Sequence, residues 1–188
     1  AEMKKLAKEQ IKGNVGKIFI IMLIIMLVGA VCSLIPVVGW VVGPLIVVPA
    51  FSVSLCIIYL MLTRTEEVKV SNAFDGFNSA GKAAWLNILV TVFTFLWSCL
   101  LVIPGIIKSY SYALAFYVLA DNPELTAREA LNKSKEMMNG HKMELFVLHL
   151  SFIGWGILVG VTFGIAAIYV VPYMSATVAN FYNSLKQA

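Results

Sequence analysis

Charge is what this sequence has least of: 13% of its 188 residues are Asp, Glu, Lys or Arg, about half the usual share in a soluble domain. The deficit is concentrated. Residues 18–63, 83–107 and 109–120 carry no charged side chain, and 145–185 carry only the titratable His149. Runs of this length exclude a water-soluble globule, because each spanning helix needs about 20 apolar residues and these runs supply them. Cysteine is scarce as well. Cys32, Cys56 and Cys99 each stand alone in an apolar run, with no CxxC or Cys/His spacing, and read as small buried hydrophobes. Also missing are a Gly-rich phosphate loop, a nucleophile elbow, paired carboxylates and an HExxH motif. The expectation is a protein that is not an enzyme and holds no cofactor and no metal.

What is present is hydrophobic: 60% of residues, with a mean hydropathy of +0.88. Residues 18–63 are long enough for two spans, about 17–35 and 45–63, joined by the uncharged link Pro36–Pro44. Residues 83–107 give a third span, broken at Pro104-Gly105, and a fourth ends near Ala120. Leu145–Leu185 gives two more, with a turn near Thr162–Gly164. All ten acidic residues and 13 of the 14 basic ones then fall on one side, Lys108 being the exception. By the positive-inside rule the fold is an all-α, six-span protein of the cell membrane with both termini cytoplasmic, and Trp40 in the exterior link is an interfacial anchor. The five lysines before Ile18 precede a run too long for a signal peptide, so the first span is read as retained. Basic clusters mixed with Glu and abutting apolar runs point to membrane lipids as partners and away from nucleic acid.

The charged stretches are themselves amphipathic. Met3, Leu6, Ala7, Gln10 and Ile11 share one face of the first, and Val70, Ala73, Phe74 and Phe77 have i, i+3, i+4, i+7 spacing in the second. In the third, a Thr126-x-x-Glu129 capping box opens a helix whose face carries Ala127, Ala130, Leu131, Ser134, Met137 and Met138, and Gly140 closes it. Each reads as a helix lying at the cytoplasmic interface, with partner binding the alternative for the third.

An internal repeat follows from the landmarks. Gly16-Lys17, Gly81-Lys82 and Gly140-His-Lys142 each close an amphipathic segment before a span, 65 and 60 residues apart. Pro49-Ala-Phe-Ser52, Lys108-Ser-Tyr-Ser-Tyr112 and Pro172-Tyr-Met-Ser175 lie at matching points of the second spans. The expected plan is pseudo-threefold: units of about 1–63, 64–120 and 121–188 in one transmembrane domain, each an interfacial helix followed by a helical hairpin.

Tyr112-Ala-Leu-Ala-Phe-Tyr-Val-Leu-Ala-Asp-Asn-Pro123, Ala130-Leu-Asn-Lys-Ser-Lys135, Met138-Asn-Gly-His-Lys142, Leu150-Ser-Phe-Ile-Gly-Trp155, Pro172-Tyr-Met and Phe181-Tyr182 together resemble an uncharacterised family of bacterial six-span integral membrane proteins. That family is distantly similar to the membrane domain of some bacterial glycerophosphodiester phosphodiesterases. The resemblance implies a membrane fold but no activity, since the catalytic domain of those enzymes is missing from this sequence.

Among individual residues, Lys108 stands out as an intramembrane cation with no acid in any span to pair with it. It either snorkels to the outer headgroups or binds an anion such as a lipid phosphate, with Tyr110 and Tyr112 as supporting groups. His149 is expected as a hydrogen-bonded buried polar residue, with Ser52 and Ser175 as further buried polar candidates. Gly156, Gly160 and Gly164 form a small-xxx-small ridge that fits helix packing or a flexible position. Two functions remain open. One is transport or handling of a lipid or other amphiphile; the other is an accessory or scaffold role toward a membrane-protein partner, a second copy or the membrane surface.

Overall fold

The computed structural model describes residues 2–35, 38–100 and 102–187, and among them every regular element is helical. Ten α-helices follow in order: α1 Glu2–Ile11, α2 Val15–Ser33, α3 Val48–Thr63, α4 Ala80–Leu100, α5 Val102–Tyr112, α6 Ala115–Asp121, α7 Ala127–Met137, α8 Lys142–Leu150, α9 Ile153–Val161 and α10 Ala167–Gln187. A π-helical segment, Val38–Val47, leads into α3, and a 3₁₀ segment, Val70–Ser79, leads into α4.

Four stretches are long and apolar enough to cross a membrane: Val15–Ser33, Gly39–Thr63, Val70–Cys99 and Lys142–Val161. They are not equivalent. The second is half buried inside the protein, whereas the other three leave most of their surface outside. The core accordingly forms around α3, α6 and α10, through Val53, Ile58, Tyr59, Leu119, Phe181 and Tyr182. The outer helices are covered by little else in the chain; α9 has no buried residue at all. Such exposed apolar faces agree with membrane association.

The third amphipathic stretch folds as its spacing predicts. Thr126 N–H donates to Glu129 Oε2 at 2.8 Å and Glu129 N–H to Thr126 Oγ1 at 3.3 Å, closing the capping box of α7. The Thr126 amide, then its hydroxyl, hold the Glu129 carboxyl below its usual value. Ala127, Ala130, Leu131, Ser134 and Met138 are buried, and Gly140 takes φ +87° just beyond. The turn expected at Thr162–Gly164 also forms, with positive φ at Phe163 and Gly164.

Four expectations need correction. Residues 38–47 are not an open link: they are π-helical, with Pro44 inside, while Pro36 lies outside the described residues. Pro104 and Gly105 lie within α5 rather than in a break between helices, and residue 101, between α4 and α5, lies outside the described residues. Proline is compatible with the first turn of a helix, where its missing N–H has no carbonyl to meet, so Pro104 opens α5 instead of ending α4. The second amphipathic stretch is 3₁₀ rather than α. Lys69 N–H donates to Asn72 Oδ1 and Asn72 Nδ2 to Asp75 Oδ2, at 2.8 and 2.6 Å, and such i to i+3 side-chain bonds favour the tighter winding. Finally, α7 does not lie flat beneath the bundle. Ser134 Oγ donates to the Ser111 carbonyl at 3.0 Å, so α7 runs back alongside α6 and reaches the end of α5.

The inner helices each carry one amphipathic segment. The 3₁₀ segment packs on α3, α7 on α6 and α1 on α10. Gly76 makes the first pairing possible: its N–H donates to Ser54 Oγ at 2.9 Å, and a Cβ there would overlap the Ala50 carbonyl and Ser54.

Candidate functional site

The sequence singles out Lys108, and the fold gives it neighbours that spacing alone did not reveal. Lys108 is half-buried on α5, with its Nζ 4.6 Å from the centre of the Trp97 ring of α4, a cation–π contact that suits an ammonium with no carboxylate partner. One side of the neighbourhood is basic. Two helices that carry lysines, α7 with Lys135 and α8 with Lys142, pack against α5. The hydrogen-bond geometry explains why. Ser134 sits on the Ser111 carbonyl, bringing Lys135 to α5. Tyr110 Oη lies 3.3 Å from His149 Nδ1 and its ring packs edge-on to Phe146, bringing one face of α8 to α5. Lys142 shares that face at i, i+4, i+7 with Phe146 and His149. Among the described residues no carboxylate lies within ion-pair distance of Lys108, Lys135 or Lys142.

The three residues predicted as one anion site therefore diverge. Lys108 turns to Trp97, Tyr110 to α8, and Tyr112 is buried beside Phe93 of α4 at 6.4 Å between ring centres. Tyr112 instead lines a groove of about 540 Å³ between α4 and α5–α6, with Thr91, Thr94, Ser98 and Ser109. Its wall is rich in hydroxyls, and Thr94 Oγ1 is buried there without a partner. Trp97 and Lys108 precede Ser98 and Ser109 in the chain but are not part of the groove's lining.

His149 is half-buried and hydrogen-bonded, as expected. His141 pairs with Glu144 at 3.1 Å, and no group of metal-ligating side chains forms among the described residues. Ser52 and Ser175 are only partly buried: Ser52 Oγ returns to the Val48 carbonyl, and Ser175 contributes its carbonyl to the Tyr117 hydroxyl. The fully buried hydroxyls are Ser54, Ser111, Ser134 and Thr177. Gly156, Gly160 and Gly164 meet no other helix of this chain, since a Cβ at any of them would find nothing within 4 Å; at Gly164 the reason for glycine is φ +89°.

A centre that sequence reasoning missed lies at the charged end. The Asp121 carboxylate, 4% exposed, receives Arg64 Nη2 at 2.5 Å, Lys186 Nζ at 2.6 Å and the Tyr182 hydroxyl at 3.0 Å. Burial pushes this carboxyl up, but the hydrogen bonds from Lys186, Arg64 and Tyr182 together with the Arg64 charge outweigh it and hold the group below its usual value. Around it, Asn183 Nδ2 donates to Thr63 Oγ1 at 2.7 Å and Asn180 Nδ2 to Gln10 Oε1 at 2.8 Å. The only sequence signal was an acidic residue at the edge of an apolar run, with basic residues at the edges of two others.

A family model described as "Protein of unknown function (DUF975)" matches residues 1–107 and again residues 99–188. No curated protein and no solved structure matches the chain, so the likeness to the phosphodiesterase membrane domain gains no support there.

Proposed function

Starting from the premise that the chain belongs to this family of unknown function, we propose that it is a non-enzymatic, six-span protein of the cell membrane that binds and moves an anionic lipid or other amphiphile. The observation that carries this reading is the Lys108 neighbourhood. A half-buried cation above the Trp97 ring, on a helix against which the lysine-bearing α7 and α8 pack and without a carboxylate partner among the described residues, is stabilised by an anion. Like charges brought onto one helix repel, and a phosphate placed among them removes that cost. Intramembrane cations serve this kind of task, and the groove offers the rest of an amphiphile a path along α4–α5.

Six spans are supported by two stretches beyond the four already named. One is α5–α6, which runs over residues 102–121 with a kink at Ala113-Leu114, and the other is the 21-residue α10; each measures about 30 Å at 1.5 Å per residue. The three amphipathic segments paired with three inner helices are what a pseudo-threefold plan requires. Charge convergence at Asp121 agrees with cytoplasmic termini.

The experiment is lipid movement in reconstituted vesicles, using a fluorescent phosphatidylglycerol analogue and a zwitterionic counterpart. Wild type is expected to move the anionic lipid, and Lys108→Gln to lower that rate several-fold. Equal rates for wild type, Lys108→Gln and empty vesicles would overturn the reading. A scaffold role is the second reading, favoured by the exposed apolar rings of Phe74 and Phe77 on the 3₁₀ segment. It predicts a co-purifying partner that Phe74→Asp releases.

A further inference from the structure

The face of α8 opposite the Lys108 neighbourhood borders a second groove, of about 880 Å³, between α8 and α1. Phe181 of α10 is its buried floor, at 2% exposure, while Met143 and Val147 of α8 form an outward wall, at 67% and 56%. Met3 and Lys4 of α1 form the other wall. Lys4 ties that wall in place: its Nζ donates to the Ser151 carbonyl at 3.0 Å and stands 4.0 Å above the Phe152 ring. Ser151 is where the chain kinks between α8 and α9, so the contact fixes α1 against the bend.

Two observations say what covers this groove. Its α8 wall carries Glu144 near the start of α8, and from Val147 on it continues without a charged residue into Leu150 and Ile153, both half or more exposed on the lipid-facing α8–α9 surface. Its other wall belongs to a helix whose outer face carries Lys5, Lys8 and Lys12, all exposed. An apolar slot open toward lipid, beside a lysine-rich interfacial helix, matches an acyl chain below an anionic headgroup.

We infer that the α1–α8 groove holds one acyl chain of an anionic phospholipid, whose phosphate lies against the lysines of α1. The site rests on the membrane reading of the hairpins but not on Lys108, and the two fail separately. Binding here anchors rather than transports: Phe181 closes the floor, and the lipid stays in the leaflet next to α1.

The test uses the full chain in nanodiscs containing a phosphatidylglycerol analogue with a diazirine in its acyl chain, followed by peptide mapping of the crosslinks. Crosslinks are expected on residues 143–151 and on the peptide containing Phe181. Val147→Trp and, separately, Met143→Trp fill the slot from exposed positions that tolerate a larger side chain, and each is expected to cut that labelling at least five-fold. Lys108→Gln is expected to leave it unchanged. Replacing Lys5, Lys8 and Lys12 with Gln is expected to erase the preference for the anionic analogue over its phosphatidylcholine counterpart. Labelling unaffected by both Trp variants, an equal yield from the two lipids in wild type, or crosslinks between two copies through this groove would each overturn the inference.

Discussion

Arg64 Nη2 lies 2.5 Å from Asp121 Oδ1, and this single contact joins the ends of α3 and α6 across 57 residues of sequence. Lys186, at the end of α10, occupies the other carboxylate oxygen at 2.6 Å. Three inner helices therefore end on one buried acid. Such a pair adds little where water competes freely, but losing the shared partner leaves two cations facing each other.

Replacing that acid is therefore more damaging than replacing either base. Asp121→Asn is expected to cost about 2 kcal/mol, below the full cost of breaking a buried pair because both cations are partly exposed. Arg64→Ala and Lys186→Ala should each cost less, since the other cation remains. Thermal unfolding in detergent, followed by circular dichroism, measures the order; equal midpoints for wild type and Asp121→Asn would remove the hub from the stability of the fold.

The same carboxylate sets a pH dependence. Its folded pKa is depressed, so its contribution is complete above the unfolded carboxylate value of about 3.9 and is lost as pH falls from there through the folded value. The unfolding midpoint should hold between neutral pH and about 5 and decline below about 4. The decline should be shallower in Asp121→Asn, and an identical profile in both proteins would contradict the assignment.

Gly76 and Gly160 provide a matched contrast. Gly76→Ala forces a Cβ into the Ala50 carbonyl and Ser54, at a cost of about 1–3 kcal/mol for overpacking. Gly160→Ala meets nothing within 4 Å and gains helix propensity, so it should be neutral or stabilising by up to about 1 kcal/mol. Detergent stability of the two variants decides it. A loss at Gly160 would mean that a second copy or a tightly held lipid packs on the ridge.

Topology is open to direct labelling. In a background with Cys32 and Cys99 replaced by Ser, Phe163→Cys lies in the α9–α10 turn at 98% exposure, and Glu66→Cys in the charged α3–α4 connection. A membrane-impermeant maleimide should reach Phe163→Cys in intact cells and Glu66→Cys only after permeabilisation. The reverse pattern would invert the orientation, and labelling of both in intact cells would remove the six-span reading.

Capping gives a local test. Thr126→Ala removes the hydroxyl that accepts the Glu129 amide and should cost about 1 kcal/mol. It should also release Lys135 from its place beside α5, so the rate of anionic-lipid movement should fall with it. A normal rate in a destabilised protein would separate α7 from the Lys108 site.

What could be read from the sequence had local causes. The capping box, the Phe163-Gly164 turn and the buried face of α7 are set by residues within a few positions of one another, and all three formed where their spacing put them. The break expected at Pro104-Gly105 was misplaced because proline fits the first turn of a helix as well as its end, and both residues lie in α5. The π-helical winding of Val38–Val47 had no usable signal, since glycine and proline in an apolar stretch equally describe a link. At the candidate site the sequence identified Lys108 as the exceptional charge but not its surroundings: Tyr112 is buried beside Phe93, and Trp97 of α4 lies against the Lys108 ammonium.

The sequence by itself determined that the chain is helical, that long apolar stretches dominate it, and that its charges collect between those stretches. These follow from composition and periodicity along one strand of chain. Only the tertiary structure decided that Asp121 gathers Arg64, Tyr182 and Lys186, that α7 runs back along α6 far enough to bring Ser134 to the Ser111 carbonyl, and that Gly76 packs directly on α3. Each is a contact between side chains or backbones tens of residues apart, and such pairings depend on how helices pack, which periodicity within any one helix leaves open.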